Sequence, residues 1–316
     1  MKSQNQPVLR RYAGNPILSP KDMPFACYAV FNAGAIRFRG KVLLLLRISG
    51  MDGLNRYHTA VSDDGIHFSV HPEPIDYPLD ALEKHFRCTR GFRHHQFEMR
   101  ITHIDGTYYL HHGVHMDHTG GCCIVVAKTD DFVHFESLPY LSLPENRNAA
   151  LFPEKVNGLY ARLERPQSVG GGGTIWLTYS PDLVFWGQAR PVAMPRLFWS
   201  RDKVGPGTVP IRTDEGWLEI YHATARNASA ENYFLGVMLL DLEDPSKVIG
   251  YPREFLLAPQ ELYECVGQVP NVVFTAGAVE MDDGTLNVYY GGADTVVALA
   301  QTTVRELVDY CLANKV

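Results

Sequence analysis

Short runs of β-branched and aromatic residues, separated by turn residues, dominate the hydrophobic pattern of this chain. The clearest runs are residues 41–48, 107–112, 174–179, 217–222 and 285–290. Runs of about six such residues, bounded by glycine, proline, asparagine or aspartate, are typical of β-strands. The 27 glycines and 20 prolines are scattered rather than gathered into a linker. The pattern predicts a mostly β protein, with residues 1–316 forming a single domain.

A clear helical period occurs only near the C-terminus. From Val304 to Leu312, apolar residues recur at the i, i+3, i+4, i+7 and i+8 positions. This spacing places them on one face of a helix. The sequence therefore predicts a C-terminal helix over about residues 302–314, and a shorter helical segment around residues 80–86.

A turn that ends in glycine and leads into an apolar strand recurs five times. The copies are Arg39-Gly40, Asp105-Gly106, Asn157-Gly158, Glu215-Gly216 and Asp283-Gly284, spaced 52 to 68 residues apart. Four short strands with their turns need about 40–50 residues, so each interval holds one propeller blade plus an insertion. A two-sheet sandwich would not need five copies of one signature. We therefore predict an all-β fold, a five-bladed β-propeller with a C-terminal helix.

Basic or imidazole side chains recur at a fixed distance after these glycines. Arg47 and Arg165 lie seven residues on, and His112 and His222 lie six residues on. Polar side chains of the innermost propeller strands converge on the central channel. An ion pair between blades would explain any one of them, but an anionic ligand at the axis explains the set better.

Charge and composition limit the classes of partner that this chain is expected to bind. The chain has 29 basic and 35 acidic residues, a net charge of −6, and no dense block of Lys or Arg. Nucleic acids and anionic membranes need a local positive field, so we expect neither as a partner. The longest apolar runs are far below the ~20 residues of a membrane span. Without an apolar signal region, and with six cysteines but no CxxC motif, the chain is expected to be cytoplasmic.

Several motifs resemble glycoside hydrolase family 130, the mannoside phosphorylases. They are residues 146–158 (NRNAALFPEKVNG), 164–166 (ERP), 203–207 (KVGPG), 216–222 (GWLEIYH) and 289–295 (YYGGADT). The match runs in order over nearly the whole chain. The resemblance implies a five-bladed propeller that cleaves a β-mannoside with inorganic phosphate, inverts the anomeric centre and releases α-mannose 1-phosphate.

The resemblance also implies two groups of site residues. Those that match the family's phosphate site are Arg147, Arg165, Lys203 and His222. Those that match its sugar subsite are Asn32, Arg47, Arg100 and Asp294. Each member of the second group has a structural alternative, either a turn residue or an ion pair between blades. Arginine forks and a lysine are suited to an oxyanion, so retention of the first group favours phosphorolysis.

The segment that matches the family's general acid departs from the family pattern. The family has an Asp within Glu-Asp-Pro-Arg or Tyr-Asp-Pro-Arg, whereas this chain has Phe97-Glu98-Met99-Arg100. The carboxyl is kept but lies one methylene further from the backbone. We expect Glu98 to be the general acid and to reach the glycosidic oxygen directly; the alternative is a site with a changed use.

Two further features affect the substrate. Residues 26–30 contain no acidic residue where many relatives have one, so the donor sugar is not fixed as mannose. The basic residues of 87–95 suggest either an acidic or phosphorylated substrate or an ordinary solvated loop.

Four histidines, His111, His112, His115 and His118, are dense enough to suggest a metal. However, neighbouring strand residues face opposite ways, so we expect no metal and predict channel-lining histidines instead.

Three functions therefore remain open at the level of sequence. The first is a glycoside phosphorylase, the second is an inverting hydrolase in which Glu98 works with a carboxylate such as Asp294, and the third is a non-catalytic sugar-binding propeller. The expected partners are a small oligosaccharide and phosphate, and a homo-oligomer is left open. We expect no cofactor, because phosphate is a co-substrate. The acceptor sugar is not determined by the sequence.

Overall fold

The computed structural model describes residues 7–78, 96–116, 121–167, 172–228 and 230–315. Five antiparallel sheets surround a central axis, as the blades of a β-propeller do. The predicted fold class is therefore confirmed. The predicted segments 80–86 and 87–95, together with His118, lie outside the described residues.

The strands follow one another blade by blade. The chain begins with β1 (Arg10–Arg11), and the first blade has β2 (Cys27–Phe38), β3 (Lys41–Gly50), β4 (Asn55–Ser62) and β5 (Ser69–Val70). The second has β6 (Gln96–Ile104), β7 (Thr107–Met116), β8 (Gly121–Thr129) and β9 (Glu136–Leu141). The third has β10 (Asn146–Leu151), β11 (Tyr160–Pro166), β12 (Ile175–Ser180) and β13 (Gly187–Ala193).

The last two blades are less regular. The fourth has β14 (Lys203–Pro206), β15 (Ile211–Arg212), β16 (Trp217–Arg226), β17 (Glu231–Leu240) and β18 (Val248–Gly250). The fifth has β19 (Val273–Glu280), β20 (Leu286–Gly292) and β21 (Val296–Thr302). In the fourth blade β14 and β15 both pair with β16, so together they form one interrupted first strand.

The N-terminal strand closes the ring. β1 pairs with β21, the third strand of the last blade, and becomes its outer strand. Arg11 then reaches the buried carboxyl of Glu264, with an Nε to Oε1 distance of 2.8 Å. The first and last strands are thereby held in one sheet, which the sequence motifs did not indicate.

Two helices complete the described fold, along with a short 3₁₀ turn at Pro20–Asp22. α1 (Leu262–Cys265) is a single turn, and α2 (Val304–Leu312) is the predicted C-terminal helix. α2 begins after Thr303, whose side chain accepts a hydrogen bond from the Glu306 amide as an N-cap. Its apolar face packs between the last two blades. No helix in the described ranges is long and apolar enough to cross a bilayer.

The recurring glycine turns have a physical basis in four of the five copies. Gly40, Gly106, Gly158 and Gly284 adopt positive φ angles of 80° to 85°, which glycine reaches without steric cost. Gly216 is different, because a β-carbon there would meet the Leu240 carbonyl oxygen. The fifth glycine therefore permits close packing rather than a left-handed turn.

Each repeat glycine lies between the first and second strands of its blade. The first strands, which are β2, β6, β10, β14 and β19, pack around the axis, and apolar layers fill the space between neighbouring blades. The counted positions Arg47, His112, Arg165 and His222 therefore lie on second strands. The expectation that these positions belong to the innermost strands is wrong.

Candidate active site

A cavity of about 200 Å³ opens at the axis where the first strands meet. Seven of the nine residues predicted from the family motifs line it: Asn32, Arg47, Glu98, Arg147, Arg165, His222 and Asp294. Six further residues, which no motif predicted, also line the cavity: Phe97, Asn148, Tyr233, Val269, Val272 and Phe274. Arg100 and Lys203 lie beside the cavity but do not form its wall.

β-bulges in three first strands turn side chains toward this cavity. The register of β2 shifts between Phe31 and Gly34, that of β6 between Gln96 and Met99, and that of β10 between Arg147 and Ala150. An extra residue in a strand re-aims the neighbouring side chains. The bulges hold Asn32, Glu98 and Asn148, and the two asparagines have the positive φ angles (49° and 60°) that asparagine tolerates best among non-glycine residues.

Glu98 is a buried carboxyl held by two neighbours. Only 6% of its side chain is exposed. Its Oε1 accepts hydrogen bonds from Asn148 Nδ2 at 2.6 Å and from Arg100 Nη1 at 3.3 Å. Both contacts fix the direction of the carboxyl group at the cavity wall. Asn148 lies in one of the motifs that resemble the family, but no motif predicted its pairing with Glu98.

Arg100 donates a hydrogen bond to Glu98 and is itself held by backbone oxygens. It is 1% exposed, and its Nε and Nη2 donate to the carbonyl oxygens of Gly207 (2.6 Å) and Pro206 (2.8 Å). All three guanidinium nitrogens therefore face oxygens of the protein. Arg100 does not line the cavity, but each of its terminal nitrogens has a second N–H, so its predicted contact with a sugar remains a prediction.

Two arginines of the site contact the same aromatic ring, that of Phe97. The guanidinium carbon of Arg47 lies 5.3 Å from the centre of the Phe97 ring, and that of Arg147 lies 4.9 Å from it. Arg147 also forms an ion pair with Glu145 at 2.9 Å. Cations over an aromatic face are stabilised by its quadrupole. Phe97 therefore keeps a predicted sugar-subsite arginine and a predicted phosphate-site arginine in fixed relative positions.

Arg165 and His222 touch in the cavity wall. Arg165 Nη1 lies 2.8 Å from His222 Nε2, and His222 Nδ1 lies 3.1 Å from the Pro206 carbonyl oxygen. A guanidinium only donates, so Nε2 accepts and the ring proton resides on Nδ1. Burial, together with the charge of Arg165, lowers the pKa of His222 well below its ordinary value. His222 is thus a neutral acceptor for Arg165, and the ring nitrogen that faces Arg165 has no proton to donate to an anion.

Lys203 adds positive charge at the edge of the site. Its Nζ lies 2.9 Å from Glu231 Oε2, and its side chain is 13% exposed. Burial lowers its pKa, and the charges of Arg165 and Arg147 act in the same direction. The predicted oxyanion residues are therefore neighbours, although Lys203 and Arg147 each also contact a glutamate.

A second carboxyl, that of Asp294, also lines the cavity. Burial raises the pKa of Asp294 to about 6, and the Glu98 charge adds to this shift, while Arg47 and a hydrogen bond with Asn32 oppose it. The site thus contains two carboxyls with different surroundings. Glu98 contacts Arg100 and Asn148, and Asp294 lies among the predicted sugar-subsite residues.

The histidine prediction is corrected within the described residues. His111 and His112 are at most 1% exposed and do not line the cavity. His112 Nδ1 lies 3.3 Å from the Tyr77 hydroxyl, inside the aromatic core next to the first blade. Both are therefore buried away from the cavity, and the prediction that they line the channel is wrong. In the described ranges, no three His, Cys, Asp or Glu residues are placed to hold a metal ion.

Known proteins resemble this chain over almost its full length. The model of glycoside hydrolase family 130, described as β-1,4-mannooligosaccharide phosphorylase, matches residues 1–313. The chain is 35% identical to the β-1,4-mannooligosaccharide phosphorylase of Ruminococcus albus, covering 96% of this chain and 90% of that protein. It is 36% identical to the 1,2-β-oligomannan phosphorylase of Thermoanaerobacter sp., covering 95% and 98%.

The fold also matches a solved member of the same group. The structure of β-1,2-mannobiose phosphorylase from Listeria innocua, in complex with β-1,2-mannobiose, superposes with a TM-score of 0.84 at 27% identity. The superposition covers 97% of this chain and 99% of that one. With a family match across residues 1–313 and relatives above 30% identity, this chain belongs to glycoside hydrolase family 130, as its motifs predicted.

Proposed function

We propose that this protein is an inverting glycoside phosphorylase that cleaves a β-mannoside with inorganic phosphate and releases α-mannose 1-phosphate. The relatives from Ruminococcus albus, Thermoanaerobacter sp. and Listeria innocua are all named as phosphorylases of mannosides. The observation that carries the proposal is the pairing of Arg147 and Arg165 with the carboxyl of Glu98 in one cavity.

The chemistry of phosphorolysis suits this set of groups. An inverting hydrolase needs one carboxyl as acid and another as base to activate water. Phosphate is already anionic, so a phosphorylase needs an acid for the leaving oxygen and cations that bind the nucleophile. Arg147 and Arg165 supply forked donors and Lys203 supplies a nearby charge. Glu98 supplies the acid.

The proposed reaction proceeds in one displacement. A phosphate oxygen held by Arg147 and Arg165 forms a bond to the anomeric carbon from the face opposite the leaving group. The bond between that carbon and the glycosidic oxygen breaks, and this oxygen takes the proton of the Glu98 carboxyl. The products are a sugar 1-phosphate of inverted configuration and a free acceptor sugar. The proton that the phosphate group loses restores the protonated carboxyl.

Asn32, Arg47 and Asp294 would hold the sugar that is transferred. Their side chains lie on the cavity wall near Glu98 and offer amide, guanidinium and carboxyl groups to sugar hydroxyls. Arg100 would act through Glu98, because it donates to that carboxyl and does not line the cavity. Hydrolysis is the competing function, in which Asp294 would activate water opposite Glu98.

The proposed function is tested by the phosphate dependence of the product. We expect β-1,4-mannobiose or β-1,2-mannobiose to be cleaved only when inorganic phosphate is present, with one sugar 1-phosphate formed for each bond broken. The measurement is quantitative chromatography of sugar 1-phosphate and free mannose, with and without phosphate. Free sugar in equal amounts without phosphate would establish hydrolysis instead. If the protein bound both disaccharides but cleaved neither, it would be a non-catalytic sugar-binding protein.

Gly205 provides a test of the geometry around Arg165 and His222. A β-carbon at this position would lie 2.6 Å from His222 Cε1 and 3.0 Å from Arg165 Cδ. Gly205→Ala should therefore displace both side chains and raise the KM for phosphate about tenfold, since small displacements at a reacting centre are costly. Steady-state kinetics with phosphate as the varied substrate measures this effect.

Gly187→Ala is the matched control for this substitution. A β-carbon at Gly187 meets no atom within 4 Å, and this exposed residue lies on the outer strand β13. We expect its KM for phosphate to equal that of the wild type. An unchanged KM in the Gly205 variant would contradict the proposal that Arg165, held in place by His222, binds phosphate.

A further inference from the structure

One backbone segment, Pro206–Gly207, contacts the side chains that hold the proposed acid and a proposed phosphate ligand. The Gly207 carbonyl oxygen accepts from Arg100 Nε, and the Pro206 carbonyl oxygen accepts from Arg100 Nη2. The Pro206 oxygen also lies 3.1 Å from His222 Nδ1. The segment Pro206–Gly207 therefore holds one side chain on the acid side and one on the phosphate side.

Each of these side chains holds a reacting group in turn. Arg100 Nη1 donates to Glu98 Oε1, which fixes the proposed acid. His222 Nε2 accepts from Arg165 Nη1, which fixes a proposed phosphate ligand. A shift of the segment would consequently move Glu98 and Arg165 together.

Glu219 anchors this segment from the opposite side. Its Oε1 accepts a hydrogen bond from the Gly207 amide at 2.9 Å. Glu219 lies in the middle of β16 and is 0% exposed, and its Oε2 has no hydrogen-bond partner among the described residues. The next residues on either side, Leu218 and Ile220, are apolar and fully buried.

A carboxyl at this position is costly for folding. Burial raises the pKa of Glu219 to about 8, although the Gly207 amide and the Arg100 charge lower it. A well-packed apolar side chain in place of a buried ionisable group is often neutral or stabilising. Packing alone therefore does not account for Glu219, whereas its bond to the Gly207 amide does.

We propose that Glu219 is a positioning residue that, through Pro206–Gly207, aligns the general acid and the phosphate-binding arginine at the same time. The inference rests on the proposed phosphorylase function. It adds one residue that holds both the proposed acid, Glu98, and the proposed phosphate ligand, Arg165. Glu219 touches neither substrate. Its effect reaches Glu98 through Arg100, and it reaches Arg165 through His222.

The test compares two substitutions of different chemistry at this position. Glu219→Leu removes the acceptor for the Gly207 amide and should both lower kcat and raise the KM for phosphate, each about tenfold. Glu219→Gln keeps an amide oxygen as acceptor and should stay within about threefold of the wild type in both parameters. Kinetics are measured on folded protein, with the folded fraction taken from circular dichroism. Glu219→Ala replaces the leucine variant if that variant does not fold.

A control on the same strand separates positioning from stability. Leu218→Ala shortens a buried side chain that faces the last blade, so it should lower the thermal midpoint without changing kcat or the KM for phosphate. The inference is overturned if Glu219→Leu behaves like this control, or if only one of the two kinetic parameters changes.

The two proposals fail in different ways. A wild-type protein without phosphate-dependent turnover would overturn the proposed function. The inference would then be decided by calorimetric binding of inorganic phosphate, which Glu219→Leu must weaken about tenfold and Glu219→Gln must leave nearly unchanged. Equal phosphate affinity in the wild type and Glu219→Leu would refute it.

Discussion

Replacing Glu98 by glutamine should lower kcat for phosphorolysis of a disaccharide about 10³-fold. General acid catalysis contributes roughly 10²–10⁴-fold, and glutamine has no proton to give to the glycosidic oxygen. The glutamine side-chain oxygen can still accept from Asn148 and Arg100, as Oε1 of Glu98 does. The site should keep its shape, so the KM for phosphate should remain within about threefold. Steady-state kinetics with each substrate varied in turn measures both parameters.

The leaving group supplies the control for this result. A nitrophenyl β-mannoside releases an anion of low basicity that needs little protonation. Glu98→Gln should therefore lose no more than about tenfold on this substrate, compared with about 10³-fold on the disaccharide. Equal losses on both substrates would mean that the substitution misplaces the site. A nearly unchanged rate on the disaccharide would remove Glu98 from the role of acid.

The architecture was predictable because the blade turns repeat. Four of the five repeat glycines adopt left-handed geometry, so the same chemistry recurs at the same place in each blade. Ring closure by β1 was not predictable in the same way. It depends on two residues, Arg10–Arg11, that carry no hydrophobic period of their own and pair with Gln301 and Ala300 near the other end of the described chain.

The predicted site residues came from family motifs, and the structure brings most of them together. The repeat count alone was a weaker guide. Arg47, Arg165, His112 and His222 were found by the same count, yet His112 lies in the aromatic core around Tyr77 while the other three line the cavity. A strand position sets which face a side chain occupies, but the neighbouring blade decides whether that face meets the cavity or the core.

Local irregularity explains what the sequence did not show. The bulges that hold Asn32, Glu98 and Asn148 break the two-residue period of a strand, so the alternation rule cannot place these side chains. Arg100 follows Glu98 by two residues but projects away from the cavity to the Pro206 and Gly207 carbonyls. These contacts join residues more than 100 positions apart, so the local pattern of residues along the sequence does not predict them.

Replacing Arg165 by alanine should reduce kcat/KM for phosphate about 10²–10³-fold. Arg165 is 4% exposed, lines the cavity and is held by His222 Nε2. Loss of a preorganised donor to a developing charge costs rates of this order, and a forked guanidinium contributes more than a point charge. Arg165→Lys keeps the charge but loses the fork, so we expect an intermediate loss, with most of the change in the KM for phosphate.

Arg212→Ala is the matched control for the arginine substitutions. This arginine pairs with Glu154 at 2.7 Å and has a side chain that is 54% exposed, so its removal should leave both kinetic parameters unchanged. The binding of inorganic phosphate to folded protein, measured by calorimetry, gives a second readout that does not depend on turnover. Wild-type affinity for phosphate in Arg165→Ala would show that the nucleophile binds elsewhere. In that case the pairing of Arg165 with Glu98 in one cavity would no longer support phosphorolysis.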